Sequence, residues 1–392
     1  MTQARPMPIH MRRDGFDPPA ELAAVRDGAG LTRVPTLFGT SAWLVTRHAD
    51  VREVMADAVR FSNATRPPGF PALGGPDTEG SLLLSDPPEH TRLRKLLSPE
   101  FTVRRIRRLE PRISEIVEDH LAAMEAAGPP ADLVPAFALP VPSLVICELL
   151  GVPYADRAEF QGRAGRQLNV SLDLEERRRA AVESRAYMAE LVARARLEPG
   201  EDLLGMLVRE HGDDLTSGEL TGIASLLLIA GHETTANTIG LGVLALLRAP
   251  DQLQLVRDRP EGVEAAVDEL LRFLSVVHSG MPRFATQDTV LAGERIAAGD
   301  MVVLSLPAAN RDPEIGDDLD TLDVTRAITR HVAFGHGVHH CIGAPLARTE
   351  LRIALPALLR RFPSLALADP GAEIDFRSYN VVYGVRSLPV TW

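Results

Sequence analysis

The residues best suited to chemistry lie in one short run, Phe334-Gly335-His336-Gly337-Val338-His339-His340-Cys341-Ile342-Gly343. Its glycines permit tight turns and close backbone approach to a flat ligand. They lead into a lone cysteine, and apolar residues at helical spacing begin just beyond it. A thiolate beside backbone N–H groups at a helix N-terminus is stabilised as an anion. That suits a sulfur that must stay ionised as a metal ligand. Four of the eleven histidines, His331, His336, His339 and His340, fall in the eleven residues that end at Cys341. Zinc is therefore a rival reading, although zinc loops usually pair ligands as C-x2-C or H-x3-H and no second cysteine is near. A purely structural cysteine is the third reading.

A second run lies within Thr216 to Arg248, which reads as one helix of about 32 residues and roughly 48 Å. Thr216 and Glu219 fit a capping box at its start. The helix is apolar nearly all round, so it belongs at the centre of the fold. Its middle nevertheless reads Ala230-Gly231-His232-Glu233-Thr234-Thr235. A small pair followed by a carboxylate and two hydroxyls is costly in a buried helix unless something uses them. Two further pairs share helix faces: His90 with Arg94 at i, i+4, and Glu269 with Arg272 at i, i+3. A guanidinium fork suits a carboxylate.

These residues need elements to hold them, and helical periodicity dominates. Apolar spacing predicts helices near 47–57, 88–97, 102–126, 142–150, 175–196, 201–210, 217–248, 261–274 and 343–361. Strand patterns are fewer: Trp43–Thr46, Thr289–Leu291 turning at Ala292-Gly293-Glu294, and Asp300–Leu304. The tail from Val381 to Trp392 reads as a short hairpin. Asn63–Gly80 and Ala308–His340 read as long loops, the first rich in proline and glycine, and loops of that length are usually functional or mobile.

The chain has 392 residues, a net charge of −11 and 45% hydrophobic residues. That composition excludes wholesale disorder, a fibrous repeat and an integral membrane protein. Two cysteines, Cys147 and Cys341, exclude a disulfide scaffold, and Cys147 in its apolar run reads as a small core residue. Lys95 is the only lysine, a skew that fits codon bias in a GC-rich bacterial genome. The acidic balance argues against nucleic-acid binding. No targeting segment is visible, so a cytoplasmic location is expected. Leu133–Cys147 is too short for a membrane span of about 20 residues.

The cysteine run resembles the haem-binding loop of the cytochrome P450 superfamily. Ala230-Gly231-x-Glu233-Thr234-Thr235 resembles that family's oxygen-activating helix motif, and Glu269-Leu-Leu-Arg272 its E-x-x-R signature. His90-Thr-Arg-Leu-Arg94 resembles its H-x-x-x-R helix, and Ala309-Asn-Arg-Asp-Pro313 is also typical. The matches come in order and cover about residues 43–390. The resemblance implies a mainly α chain with a long central helix and a minor β region. It implies one haem-thiolate domain over residues 1–392, with 1–20 a loose N-terminal segment. Cys341 would be the iron's axial ligand. Haem b would contact Ala230, Gly231, Phe334, Gly335 and Gly343, with its propionates held by His90, Arg94, Arg283 and His339. Thr234 and Glu233 would be catalytic, and Glu269 and Arg272 structural.

The reaction so implied is hydroxylation or epoxidation of a hydrophobic, partly oxygenated secondary metabolite, with macrolide or polyketide tailoring favoured. Val276, Val277, His278 and Val382 would contact it. Terpenoid, aromatic or peptide tailoring, peroxygenation and oxidative coupling are the alternatives within the same haem chemistry, and a non-catalytic haem carrier is a further one. Electrons would come from NAD(P)H through a ferredoxin reductase and a ferredoxin. Residues 92–112 carry eight basic side chains against two acids. Arg92, Arg94, Lys95, Arg104, Arg105, Arg108 and Arg112 are the docking candidates for an acidic ferredoxin, against the plainer reading of a solvated face. A monomer without nucleic-acid or membrane partners is expected.

Overall fold

The computed structural model describes residues 7–37, 39–65, 78–327 and 330–392. Its axis is the 32-residue helix Ser217–Arg248. The capping box forms as the sequence predicts: Glu219 N donates to Thr216 Oγ1 at 3.0 Å, and Thr216 N donates to Glu219 Oε2 at 2.8 Å. The helices Pro140–Leu150, Leu174–Leu197, Val263–Leu274 and Ala344–Arg361 pack around it. They enclose one large apolar core, in which Cys147 is buried. A side chain at Gly231 would bring its Cβ within 2.9 Å of Ile146 Cδ1, so this glycine sets how closely two helices approach.

The β part lies to one side. Five strands run in the spatial order Leu31–Pro35, Ser41–Val45, Met301–Leu304, Met281–Ala285, Phe61–Ser62. The second and third are parallel, with Trp43 opposite Val302, and the other neighbours are antiparallel. Thr289–Leu291 and Glu294–Ile296 form the expected small hairpin.

Several boundaries differ from the sequence reading, each for a physical reason. The helix expected over 102–126 breaks into Val103–Ile106, a tight turn Arg107–Leu109, and Glu110–Ala127. Pro111 has no N–H to continue an earlier helix and instead occupies the first turn of the new one. The tail is not one hairpin. Phe376 bridges to Val385, while Val390 pairs with both Ala131 and Leu367.

Residues 7–19 are not loose. His10 and Met11 are buried, and Arg13 donates to the carbonyls of Leu274 and Ser275 at 3.0 and 2.7 Å. The proline and glycine cluster of the Asn63–Gly80 loop falls mostly at 66–77, outside the described residues. Among the described residues no single helix is long and apolar enough to cross a membrane.

Candidate active site

The cysteine loop is built from close backbone contacts. Gly335 and Gly337 have φ of 73° and 69°, the left-handed region where glycine is unstrained. At Gly337 a Cβ would stand 2.5 Å from the Met55 carbonyl, so the loop can lie against the His48–Ala56 helix only with glycine there. Cys341 N donates to the Phe334 carbonyl at 2.8 Å, closing the loop. The helix Ala344–Arg361 starts three residues later.

The thiol is accessible along one flank and deeply enclosed elsewhere. Enclosure pushes its pKa up. The N–H groups of Gly343 and Ala344, together with the nearby Arg94 and Arg348 charges, pull the other way. Among the described residues no group of three or more histidine, cysteine or acidic side chains converges to hold a metal. The four histidines before Cys341 therefore do not form a zinc cage with it.

A cationic cluster adjoins the loop. The His90 ring lies 4.2 Å from that of His339, and His339 in turn feels the charges of Arg283 and Arg94. Both ring nitrogens of His90 and Nε2 of His339 are buried without a hydrogen-bond partner. Burial drives the His339 pKa down to about 3, with His90 and Arg283 adding to the shift. Burial likewise lowers Arg283 to about 10 and lowers Arg94. Asp86 is close, but its oxygens already take the Ser62 hydroxyl and the N–H groups of Asn63 and Ala64. No ion pair to Arg94 or Arg283 forms among the described residues. Buried polar groups are normally satisfied, so two guanidiniums, of which only Arg283 has a hydrogen bond among those described, to the Pro282 carbonyl at 3.0 Å, and one N–H on each neutral ring are a donor set awaiting anions. The two propionates of a haem, with iron on Cys341, fit that set.

The central helix presents two functional faces. Ala230 is accessible in the middle of an otherwise buried helix, and half-buried Thr234 lies one turn on, donating to the Ala230 carbonyl at 2.8 Å. Glu233 is buried on another side. It accepts from Arg377 Nη1 at 2.9 Å and Asn237 Nδ2 at 3.2 Å. Its carboxylate lines a separate cavity of about 280 Å³, with Gln161, Asn237 and Arg377 among the other walls. The sequence reading missed Arg377 and Asn237. Asn237, four residues after Glu233 in an apolar helix, was the available signal; Arg377, 144 positions away, gave none.

The predicted substrate segments meet. Val277 bridges to Val382, and Tyr383 N donates to the Val276 carbonyl at 2.7 Å. His278 does not belong with them. It is fully buried, bonded through Nε2 to the Asn380 carbonyl at 2.7 Å, with its ring 5.0 Å from Tyr383. Burial and the Arg13 charge take its pKa down to about 3. It is a packing residue, enclosed and bonded to a carbonyl 102 positions along the chain.

The basic stretch is smaller than its composition suggests. Arg92 pairs with Glu219 and Glu89, Arg105 with Glu100 at 2.7 Å, and Arg112 with Glu148 and Glu115. Arg94 turns into the cationic cluster. Lys95, Arg104, Arg107 and Arg108 remain exposed, with no carboxylate partner among the described residues. The Val103–Ile106 helix packs against Ala344–Arg361, the helix that follows the cysteine loop.

The family model described as Cytochrome P450 matches residues 36–161 and 261–370. Cytochrome P450 FAS1 of Rhodococcoides fascians is 50% identical over 98% of both chains. The solved structure of the P450 StaH from glycopeptide antibiotic biosynthesis is 47% identical. It covers 99% of this chain and 100% of its own, with a TM-score of 0.88. A structure of CYP105P1 in complex with filipin I is 44% identical, covers 97% of both chains and has a TM-score of 0.92.

Proposed function

Because the chain belongs to the cytochrome P450 family and is a haem-dependent monooxygenase, we propose that it hydroxylates or epoxidises a hydrophobic, partly oxygenated secondary metabolite of the macrolide or polyketide kind. The observation that supports the apolar part is the backbone pairing of Val276 and Val277 with Val382 and Tyr383, in which half-buried Val277 is the member a ligand can touch. With His278 turned away, the oxygenated part rests on the similarity to the P450 bound to filipin I. A second reading, peptide tailoring or oxidative coupling, is favoured by the likeness to StaH of glycopeptide antibiotic biosynthesis.

When bound, the haem iron supplies O2 activation and the oxidising chemistry. The protein's residues supply the rest. Cys341 gives an electron-rich sulfur ligand, which favours O–O cleavage in haem-thiolate proteins. His90, Arg94, Arg283 and His339 would hold the two propionates. Thr234, whose hydroxyl donates to the Ala230 carbonyl, would supply a proton by turning away from that carbonyl. Glu233 is the nearest acid along the helix, and it reaches Thr234 only after letting go of Arg377. Electrons come from NAD(P)H through a reductase and an acidic ferredoxin, which meets Lys95, Arg104 and Arg108.

The test is a titration of the holoenzyme with macrolides, terpenes, aromatic metabolites and peptides, reading the optical shift that follows displacement of the iron-bound water. Tight, saturable shifts with macrolides and incorporation of labelled O2 into product are expected. A response confined to peptides, or product without label, would move the assignment to the second reading.

A further inference from the structure

Two consecutive acids on the Val263–Leu274 helix face different parts of the molecule. Glu269 binds Arg272 and Arg326. Asp268, rotated about 100° from it, reaches the cysteine loop. Its Oδ1 lies 2.7 Å from Arg348 Nε and 3.7 Å from His331 Nε2. His331 Nδ1 accepts from Ala333 N at 3.2 Å, so the proton of a neutral ring sits on Nε2, facing the carboxylate. The Arg348 guanidinium also lies over the Phe334 ring, 4.6 Å from its centroid, and Phe334 holds the Cys341 amide. Asp268 is thus a single buried carboxylate that grips the chain on both sides of the cysteine, at His331 and at Arg348.

We propose that Asp268 is a positioning residue for the thiolate. It pins both flanks of the Cys341 loop, and it draws the Arg348 charge toward itself and away from the sulfur. This rests on Cys341 being the haem ligand. The Arg348 guanidinium lies over the ring of Phe334, whose carbonyl holds the Cys341 amide, so moving it would disturb both the loop and the charge beside the sulfur. Asp268 itself stays ionised although buried, because His331 and Arg348 outweigh the loss of water. No covalent or redox step of its own is assigned to it.

The experiment uses holoenzyme and needs no substrate. Asp268→Asn keeps the shape and removes the charge. It should shift the midpoint potential upward and speed, several-fold, the loss of the thiolate-type ferrous–CO spectrum on mild urea treatment. Asp268→Glu should restore most of both. Arg348→Gln should move the potential downward, and the Asp268→Asn, Arg348→Gln pair should match Arg348→Gln alone, because without the arginine the Asp268 change has little left to act through. An Asp268→Asn enzyme with unchanged potential and unchanged spectral lifetime overturns the proposal, as does additivity in the double variant. If the parent enzyme itself lacks the thiolate-type CO spectrum, the ligand assignment fails instead, and the two failures are told apart by that first measurement.

Discussion

Arg272 is fully buried, and all five of its N–H groups are in use. Nε and Nη2 form a fork on Glu269, both at 2.7 Å. Nη1 donates to the carbonyls of Asn310 and Leu319 at 2.9 and 2.7 Å, and Nη2 to that of Thr321 at 3.2 Å. Replacing it by alanine strands a buried carboxylate and the carbonyls of two buried residues, Asn310 and Leu319; the carbonyl of exposed Thr321 keeps Arg326. Breaking a buried pair costs about 3–5 kcal/mol, and each unmet buried acceptor about 1–3 kcal/mol. Arg326 and Asp323 N still reach Glu269 Oε1, so the carboxylate term belongs at the lower end. The total is still comparable with the ~5–15 kcal/mol that holds a domain together.

Arg272→Ala should therefore yield little soluble, haem-loaded protein. Arg272→Lys, with three donors and no fork, should lose at least two of the five bonds and about 2–6 kcal/mol. The assay is urea unfolding of the holoenzyme, followed by far-UV circular dichroism and by the haem absorbance. A Glu269→Leu, Arg272→Leu double variant sharpens the test. Many buried ion pairs can be replaced by apolar residues at no cost, but here the Asn310 and Leu319 carbonyls would stay unmet, so the double variant should remain destabilised. An Arg272→Ala enzyme within about 0.5 kcal/mol of the parent, the range of ordinary surface changes, would refute the reasoning.

Thr234→Ala should uncouple the enzyme, lowering product formed per NADPH while consumption continues; full yield would remove Thr234 from the proton path. His10 and His278 are held neutral by burial, at about 4 and about 3. Their folded values lie below the unfolded ones, so their stabilisation is complete above about pH 6.5 and drains away as pH falls. Unfolding midpoints should drop on acidification from about pH 6.5 toward 4, by ~1.4 kcal/mol per pH unit for each ring, and more gently in His278→Gln. Reduction by an acidic ferredoxin should slow steeply with salt, and a Lys95, Arg104, Arg108 triple change to glutamine should flatten that dependence. The already paired Arg105 and Arg112 should matter less when changed the same way.

Much of the site was legible because its parts are local. The capping box, the i, i+4 pair His90 and Arg94, and the i, i+3 pair Glu269 and Arg272 need only helix geometry to bring their partners together. The cysteine loop could be read because left-handed turns select glycine at 335 and 337. What escaped was set by contacts distant in sequence. Arg377 reaches Glu233 over 144 positions, and Arg348 reaches Asp268 over 80. Neither arginine differs in local pattern from the many solvated ones. Charge counting over 92–112 misled for the same reason, because Glu148 and Glu219, which neutralise Arg112 and Arg92, lie outside that window. His278 was misplaced because a polar residue between apolar neighbours looks alike in sequence whether it faces a ligand or a backbone carbonyl.

The degree to which a buried charge is satisfied separates scaffold from site in this chain. Arg272 has a partner for every donor, so adding a ligand could only break bonds, and its role is architectural. Arg94, Arg283, His90 and His339 crowd together with almost none. Leaving such groups unpaired is unfavourable, and a cluster of them is stable only as the half of an interaction whose other half carries negative charge. Glu233 falls between the two. Its partners Arg377 and Asn237 hold it on the cavity side of the central helix, yet the next residue, Thr234, faces the accessible side. The proton role proposed for Glu233 requires it to leave Arg377 and Asn237, whereas Glu269 is also held by the Asp323 amide and Arg326. By this measure the roles of Glu233 and Glu269, two buried acids each bonded to an arginine, are opposite.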